Sequence, residues 1–124
     1  MEKFRPKIIL SAAVSIDGKI ATASGDSKLS SQKDLIRLHK LRSKMDCILV
    51  GKNTVIKDDP ELTVRYSQGK NPIRIVLDSS GIIPNKSKIL QTSDKIRTII
   101  VVSEKIQKRN LQRLKKFPVS RFYA

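Results

Sequence analysis

A chain of 124 residues and 14.0 kDa is sized for one domain, residues 1–124, with a real core. Its 39% hydrophobic fraction excludes a disordered chain, and 26 Lys and Arg against 11 Asp and Glu set a net charge of +15 that favours anionic ligands. One Cys and one His exclude an internal disulfide and argue against a zinc centre, and no apolar run nears the ~20 residues of a membrane span, so a cytoplasmic protein is expected.

The basic start Met1 to Lys7 leads into Ile8 to Ile16, an apolar run broken only by small residues. Such a run predicts a strand buried on both faces. Asp17-Gly18 then suits a tight turn with positive φ. Ser31-Gln32-Lys33-Asp34 has the spacing of a capping box, and Leu35, Leu38, Leu41 and Met45 follow at helical intervals. This predicts a helix from Gln32 to Met45 that packs its leucine stripe on a sheet, with His39 as a surface or packing histidine. Cys47 to Gly51, Ile73 to Leu77 and Thr98 to Val102 read as further buried strands, Cys47 among their buried residues. Lys105 to Phe117 predicts a second long helix and Val119 to Tyr123 a last strand. Tyr66 to Asn71 and Ser79 to Ser87 read as surface loops. Helices alternating with short, β-branched strands predict an α/β fold with a mostly parallel sheet flanked by helices.

The densest cations, Lys105, Lys108, Arg109, Arg113, Lys115 and Lys116, share the second helix with Ile106, Leu111, Leu114 and Phe117. That mixture reads as a solvated face opposite a packed one. Aromatic side chains for base stacking are scarce, so nucleic acid is the disfavoured partner. A small basic module for nucleic acid or another partner is kept as the alternative function.

The stretch Thr54 to Arg65 crowds paired acids, a proline and a cation between two apolar runs. Pro60 stiffens the corner after Asp59, so Asp58 and Asp59 are expected to be held in place. By residue chemistry alone this corner is a helix stop and turn or a site, and Arg65 just beyond it is a surface ion-pair member or an anion ligand.

Motifs elsewhere bear on that choice. Ser15-Ile16-Asp17-Gly18-Lys19-Ile20-Ala21, Gly25-Asp26-Ser27, Leu41-Arg42, Ile48-Leu49-Val50-Gly51, Thr54-Val55, Asp58-Asp59-Pro60-Glu61-Leu62-Thr63-Val64-Arg65 and Asn71-Pro72-Ile73-Arg74-Ile75-Val76-Leu77-Asp78-Ser79 occur in this order. Together they resemble the core of the riboflavin-pathway pyrimidine reductases, whose fold is like that of dihydrofolate reductase. These reductases occur alone or as the C-terminal part of bifunctional deaminase-reductases, and this chain resembles the stand-alone kind, since it cannot hold the deaminase's zinc site. The resemblance is specific from Lys7 to Ser80.

What the resemblance implies is NADPH-dependent reduction, with NADH as a possible donor, of the ribosylamino side chain of a pyrimidinone 5′-phosphate to the ribitylamino form. Ring opening of the sugar exposes an imine-like carbon that accepts hydride, so the chemistry demands no protein nucleophile and no catalytic side chain is assigned. Carried over by position, Ser27, Arg42, Leu62 and Arg65 fall at the substrate, and Thr54, Asp58 and Ser79 at the cofactor. Arg42 and Arg65 suit a phosphate or the pyrimidine carbonyls, because a guanidinium is a rigid fork of donors, and either is also compatible with a surface ion pair. Asp58 would repel a phosphate, so a carboxamide or a ribose hydroxyl is its fitting partner. Leu29 stands where bacterial relatives often carry a tryptophan. The family's later Gly-Gly segment and its substrate-binding glutamate have no counterpart, as the five glycines are never adjacent. The implied reading is the first half of a reductase domain, apparently truncated, that holds NADPH weakly. Relatives of this type are commonly homodimers.

Overall fold

The computed structural model describes residues 4–12, 15–19 and 31–124. Four strands carry the architecture: β1 (Cys47–Gly51), β2 (Ile73–Leu77), β3 (Thr98–Val102) and β4 (Ser120–Tyr123). They pair in chain order and all in parallel, with Cys47 opposite Ile73, Arg74 opposite Thr98 and Ile99 opposite Ser120. Among the described residues there are four helices: α1 (Gln32–Ser43), α2 (Lys52–Asp58), α3 (Lys88–Gln91) and α4 (Lys108–Lys115). Each connection from one strand to the next steps to the adjacent strand in one direction, so the crossover helices α2, α3 and α4 fall on one face of the sheet.

The core lies between that face and those helices. Val76, Ile100 and Val102 from the strands meet Val55 of α2, Ile89 and Leu90 of α3 and Leu114 of α4, with Ile83 and Leu62 filling the gaps. Ile106 and Phe117 pack against this cluster from the ends of α4. Lys108, Arg109, Lys115 and Lys116 stay exposed as the pattern predicts, whereas Arg113 turns in and donates to the Ile83 carbonyl at 2.8 Å. The opposite sheet face is open among the described residues: Leu49 is 58% exposed, Leu77 45% and Phe122 57%. The expectation of strands buried on both faces therefore holds for one face only. Uniformly apolar runs predict two-sided cover, but the crossovers supply it on one side. Cys47 is accordingly exposed instead of buried, because it starts the edge strand β1 on the open face.

Residues 8–12 and 15–16 form no strand, and Ile8, Leu10 and Ile16 are 84%, 93% and 109% exposed. An apolar run specifies burial but not its neighbour, and among the described residues no strand pairs with this one. The turn after it forms as read. Gly18 has φ +82° and donates its N–H to the Ser15 carbonyl at 2.9 Å. Ser31 caps α1, its hydroxyl accepting from the Asp34 N–H at 3.2 Å. The helix stops at Ser43, two residues before the predicted end, and its most buried residue is His39 rather than a leucine. α3 was not foreseen: its four residues are too few to show a period, and Ser87 starts it by accepting from the Leu90 N–H.

Gly81 anchors the loop between β2 and α3. It holds φ +65°, and a Cβ there would stand 2.6 Å from Ile106 Cδ1 and 3.2 Å from Leu114 Cδ1. Both the backbone and the space demand glycine. Gly81→Ala is expected to cost about 2 kcal/mol from left-handed backbone strain and overpacking together, read as a lower urea midpoint with an unchanged slope.

Candidate functional site

The loop from Asp59 to Arg65 is held at five points. Its first residue takes φ +44° as the left-handed cap of α2, and its Oδ1 accepts from the Lys88 N–H at 2.8 Å, which also caps α3. The Glu61 carbonyl accepts from Arg74 Nη1 at 3.0 Å. The Thr63 carbonyl accepts from Arg42 Nη1 at 3.3 Å, and the Val64 N–H donates to Asn71 Oδ1 at 2.8 Å. The Arg65 N–H donates to His39 Nδ1 at 2.9 Å. Leu62 holds φ +55° while its side chain is 4% exposed in the core. Two non-glycine residues in the left-handed region within four positions are a local cost, and the five anchors hold them there. An Asp-Asp-Pro corner that merely ended a helix would need none of this.

Arg74 is the interior support. Its side chain is fully buried, yet its partners are neutral oxygens: Thr98 Oγ1 at 2.9 Å and Thr92 Oγ1 at 2.9 Å, with the Ile89 carbonyl at 2.8 Å and the Glu61 carbonyl. The two threonine hydroxyls pass their own protons to the Ile96 and Lys88 carbonyls. Burial pushes the Arg74 guanidinium down from its ordinary value, and the nearby Glu61 charge works the other way. One side chain thus ties the loop, α3 and β3 together.

Among the predicted substrate-side residues, Arg42 and Arg65 come together on either side of His39, and Leu62 sits three positions before Arg65 in the loop. Arg42, half-buried on α1, is lowered from the usual guanidinium value first by desolvation and then by the charge of Arg65. Its Nε is buried without a partner. Arg65 is exposed and pairs with Glu61 Oε2 at 2.8 Å, the ion pair that the surface reading anticipated. Such an exposed pair is worth about 0–1 kcal/mol, so Arg65 remains open to exchange that partner for a ligand oxygen. Leu62 acts through shape, its side chain committed to the core. Ser27 and Leu29 lie outside the described residues.

The residues predicted for the cofactor are spread out: Ser79 lies past the carboxyl end of β2, Thr54 in the first turn of α2, and Asp58 at the end of that helix, next to the loop. Thr54 and Asp58 are one helical turn apart on α2, which starts directly after β1. Ser79 follows β2 and is exposed, and its carbonyl accepts from the Ser103 N–H at 3.0 Å. It lines a 270 Å³ cavity with Ser80, Ser103, Lys105 and Asn110. With Gln107 and Ile106 also in the lining, hydroxyls, two amides and one cation, and no carboxylate, fit the phosphates and ribose hydroxyls of a dinucleotide. Ligands of parallel α/β folds gather at this edge. The larger 510 Å³ depression around Ile82, Pro84 and Arg113 contains none of the predicted residues. Among the described residues no group of three His, Cys, Asp or Glu could hold a metal, and no helix is long and apolar enough to cross a membrane.

His39 and Arg74 had no place in the predicted site. A signal for each existed: His39 lies one helical turn before Arg42, and Arg74 interrupts an otherwise apolar strand.

A parallel sheet with polar groups beyond its carboxyl ends, and a clamped loop that sets Arg65 beside Arg42 of α1, define an α/β fold with cations gathered at one loop. Residues 6–123 match the RibD C-terminal domain family, and the chain belongs to that family. It is 45% identical over 115 residues to the 2,5-diamino-6-ribosylamino-4(3H)-pyrimidinone 5′-phosphate reductase of Methanothermobacter thermautotrophicus, covering 90% of this chain and 52% of that protein. The protein of the same name from Aquifex aeolicus is 39% identical over 116 residues, with 90% and 51% covered. The chain spans about half the length of these curated relatives. The crystal structure of a diaminohydroxyphosphoribosylaminopyrimidine deaminase/5-amino-6-(5-phosphoribosylamino)uracil reductase from Thermotoga maritima superposes with a TM-score of 0.71 at 32% identity, over 91% of this chain and 30% of that one. Acinetobacter baumannii RibD, form 1, gives 0.74 at 27% identity, over 91% and 32%. The fold is thus of the dihydrofolate-reductase type that the motifs implied.

Proposed function

We propose that the chain provides the substrate-side loop and one wall of the cofactor site for reduction of the ribosylamino side chain of a pyrimidinone 5′-phosphate to the ribitylamino form, in riboflavin biosynthesis. Residues 1–124 act in this reading as one reductase-like unit, cytoplasmic and homodimeric. The observation that carries it is the five-point clamp on loop 59–65, which presents Arg65 beside Arg42 on a backbone that cannot drift. Fixed donors aimed at an anion need no reorganisation on binding, and alignment of reacting carbons by such a clamp can lower a barrier by several kcal/mol. The names of the relatives supply the substrate class.

NADPH, or NADH in its place, supplies a hydride when bound. On this chain Ser79, with Lys105 close by in the same cavity, would hold its phosphate or ribose oxygens, and Asp58 with Thr54 its carboxamide or ribose hydroxyls. Ser27, Arg42 and Arg65 would hold the substrate, with Leu62 shaping the wall. No side chain needs to act as a nucleophile, because the electrophilic carbon arises in the opened sugar.

The test pairs binding with turnover. NADPH and the ribosylaminopyrimidinone phosphate should each raise the melting temperature saturably, and together they should consume NADPH absorbance. A shift produced only by polyanions, with steep salt dependence, would instead identify the small basic nucleic-acid module.

A further inference from the structure

His39 is 1% exposed, and the family resemblance gives it no role. Its ring is fixed from three sides. Nδ1 accepts the Arg65 N–H at 2.9 Å and, more weakly, the Tyr66 N–H at 3.5 Å. The Tyr66 ring meets it edge-on, with centroids 4.7 Å apart. Arg42 Nη1 lies 3.4 Å from Nε2.

The proton's position follows from these contacts. With Nδ1 accepting, the neutral ring carries its proton on Nε2. Nε2–H and Nη1–H are then two donors facing each other, and neither satisfies the other. Arg42 Nε adds a third donor, buried and without a partner. The groups gathered here are Arg42 from α1, Arg65 and its partner Glu61 from the loop, and Tyr66, and the acid among them is taken by Arg65. Arg42 Nη1 has the Thr63 carbonyl as its acceptor, whereas Nε lies on the other edge of the guanidinium, and an anionic oxygen is a partner that satisfies such an unpaired donor.

We propose that His39 is a positioning residue for the anionic group of the substrate, its neutral ring holding the Arg65 main chain beside the Arg42 guanidinium, which the Thr63 carbonyl holds, so that both arginines address one phosphate ester. The inference rests on the substrate-side reading above and deepens it. Protonation would place a donor at Nδ1, opposite the Arg65 N–H, and release that anchor. Burial, followed by the charges of Arg42 and Arg65, lowers His39 from its ordinary value and keeps the ring neutral at pH 7.

The experiment uses the 124-residue chain with ribose 5-phosphate as probe. Wild type should bind it saturably, and Arg65→Ala should weaken it. His39→Leu, which removes the acceptor, should weaken binding at least about tenfold, whereas His39→Asn, whose Oδ1 can stand in for Nδ1, should stay within about threefold. The ratio of wild-type to His39→Asn affinity cancels the probe's own titration. That ratio should be flat above pH 6.5 and fall in more acid solution as the imidazole takes a proton. His39 is the one histidine in the chain, so its ¹⁵N resonances report the tautomer directly even where the leucine variant does not fold. A proton on Nδ1, equal affinities of all three proteins, or a ratio that ignores pH overturns the inference while wild-type binding stands. Absence of saturable, Arg65-dependent binding in the wild type overturns the substrate-side reading and the inference with it.

Discussion

Arg74→Ala is expected to destabilise the protein by about 3–5 kcal/mol, the range for breaking a buried charged network and leaving a cavity. Four oxygens lose their donor at once: Thr92 and Thr98 Oγ1 and the Glu61 and Ile89 carbonyls. Two of them cannot turn to water, because Thr98 and Ile89 are fully buried, whereas Thr92 and Glu61 are half-buried. Arg74→Met separates volume from hydrogen bonding. It refills most of the space but supplies no donor, so its cost should be about 2–3 kcal/mol. Urea unfolding gives the total, and amide exchange locates it: Val64 and Arg65, whose N–H groups depend on the loop that Glu61 anchors, should lose protection before the strands do. If Arg74→Met were as stable as wild type with unchanged exchange in the loop, the guanidinium network would be ornamental to the clamp.

How far the sequence discloses this arrangement depends on which kind of order each residue obeys. Cys47–Gly51, Ile73–Leu77 and Thr98–Val102 form strands over the residues that their β-branched runs indicate, because a run and its flanking polar residues are local signals. The Ser31 cap and the Gly18 turn are equally local and are found as read. Cover is not local. Leu49 and Cys47 belong to a run that looks buried, and only the one-directional strand order leaves their face open. The site divides the same way. Arg42, Leu62 and Arg65 enter the candidate site through motif resemblance, whereas His39 and Arg74 have their partners 26 and 24 positions away. Arg74 is decided by register: it stands opposite Thr98, whose hydroxyl makes a buried guanidinium tolerable. The left-handed turn at Leu62 has no composition signal, since leucine is a poor residue for that conformation and is held there by its neighbours.

Arg65→Ala should separate the two ligand sides. Arg65 stands beside Arg42, whereas Ser79 and its cavity lie beyond the carboxyl end of β2. Losing one charge-assisted contact should weaken a phosphate-bearing substrate about ten- to a hundredfold, the equivalent of about 1.5–3 kcal/mol, and leave NADPH affinity within error. Stability should barely move, because the ion pair given up with Glu61 is exposed on both partners and the Arg65 main-chain bond to His39 survives the change. Arg65→Lys keeps the charge but loses the fork. Partial recovery, about half of the lost free energy, is expected if the contact is bidentate, and full recovery if only charge matters. Calorimetric titration of each ligand against wild type, Arg65→Ala and Arg65→Lys reads all three quantities. Equal losses for substrate and NADPH would mean that the loop supports both ligands from beneath, and no loss for either would leave Arg65 as the surface partner of Glu61.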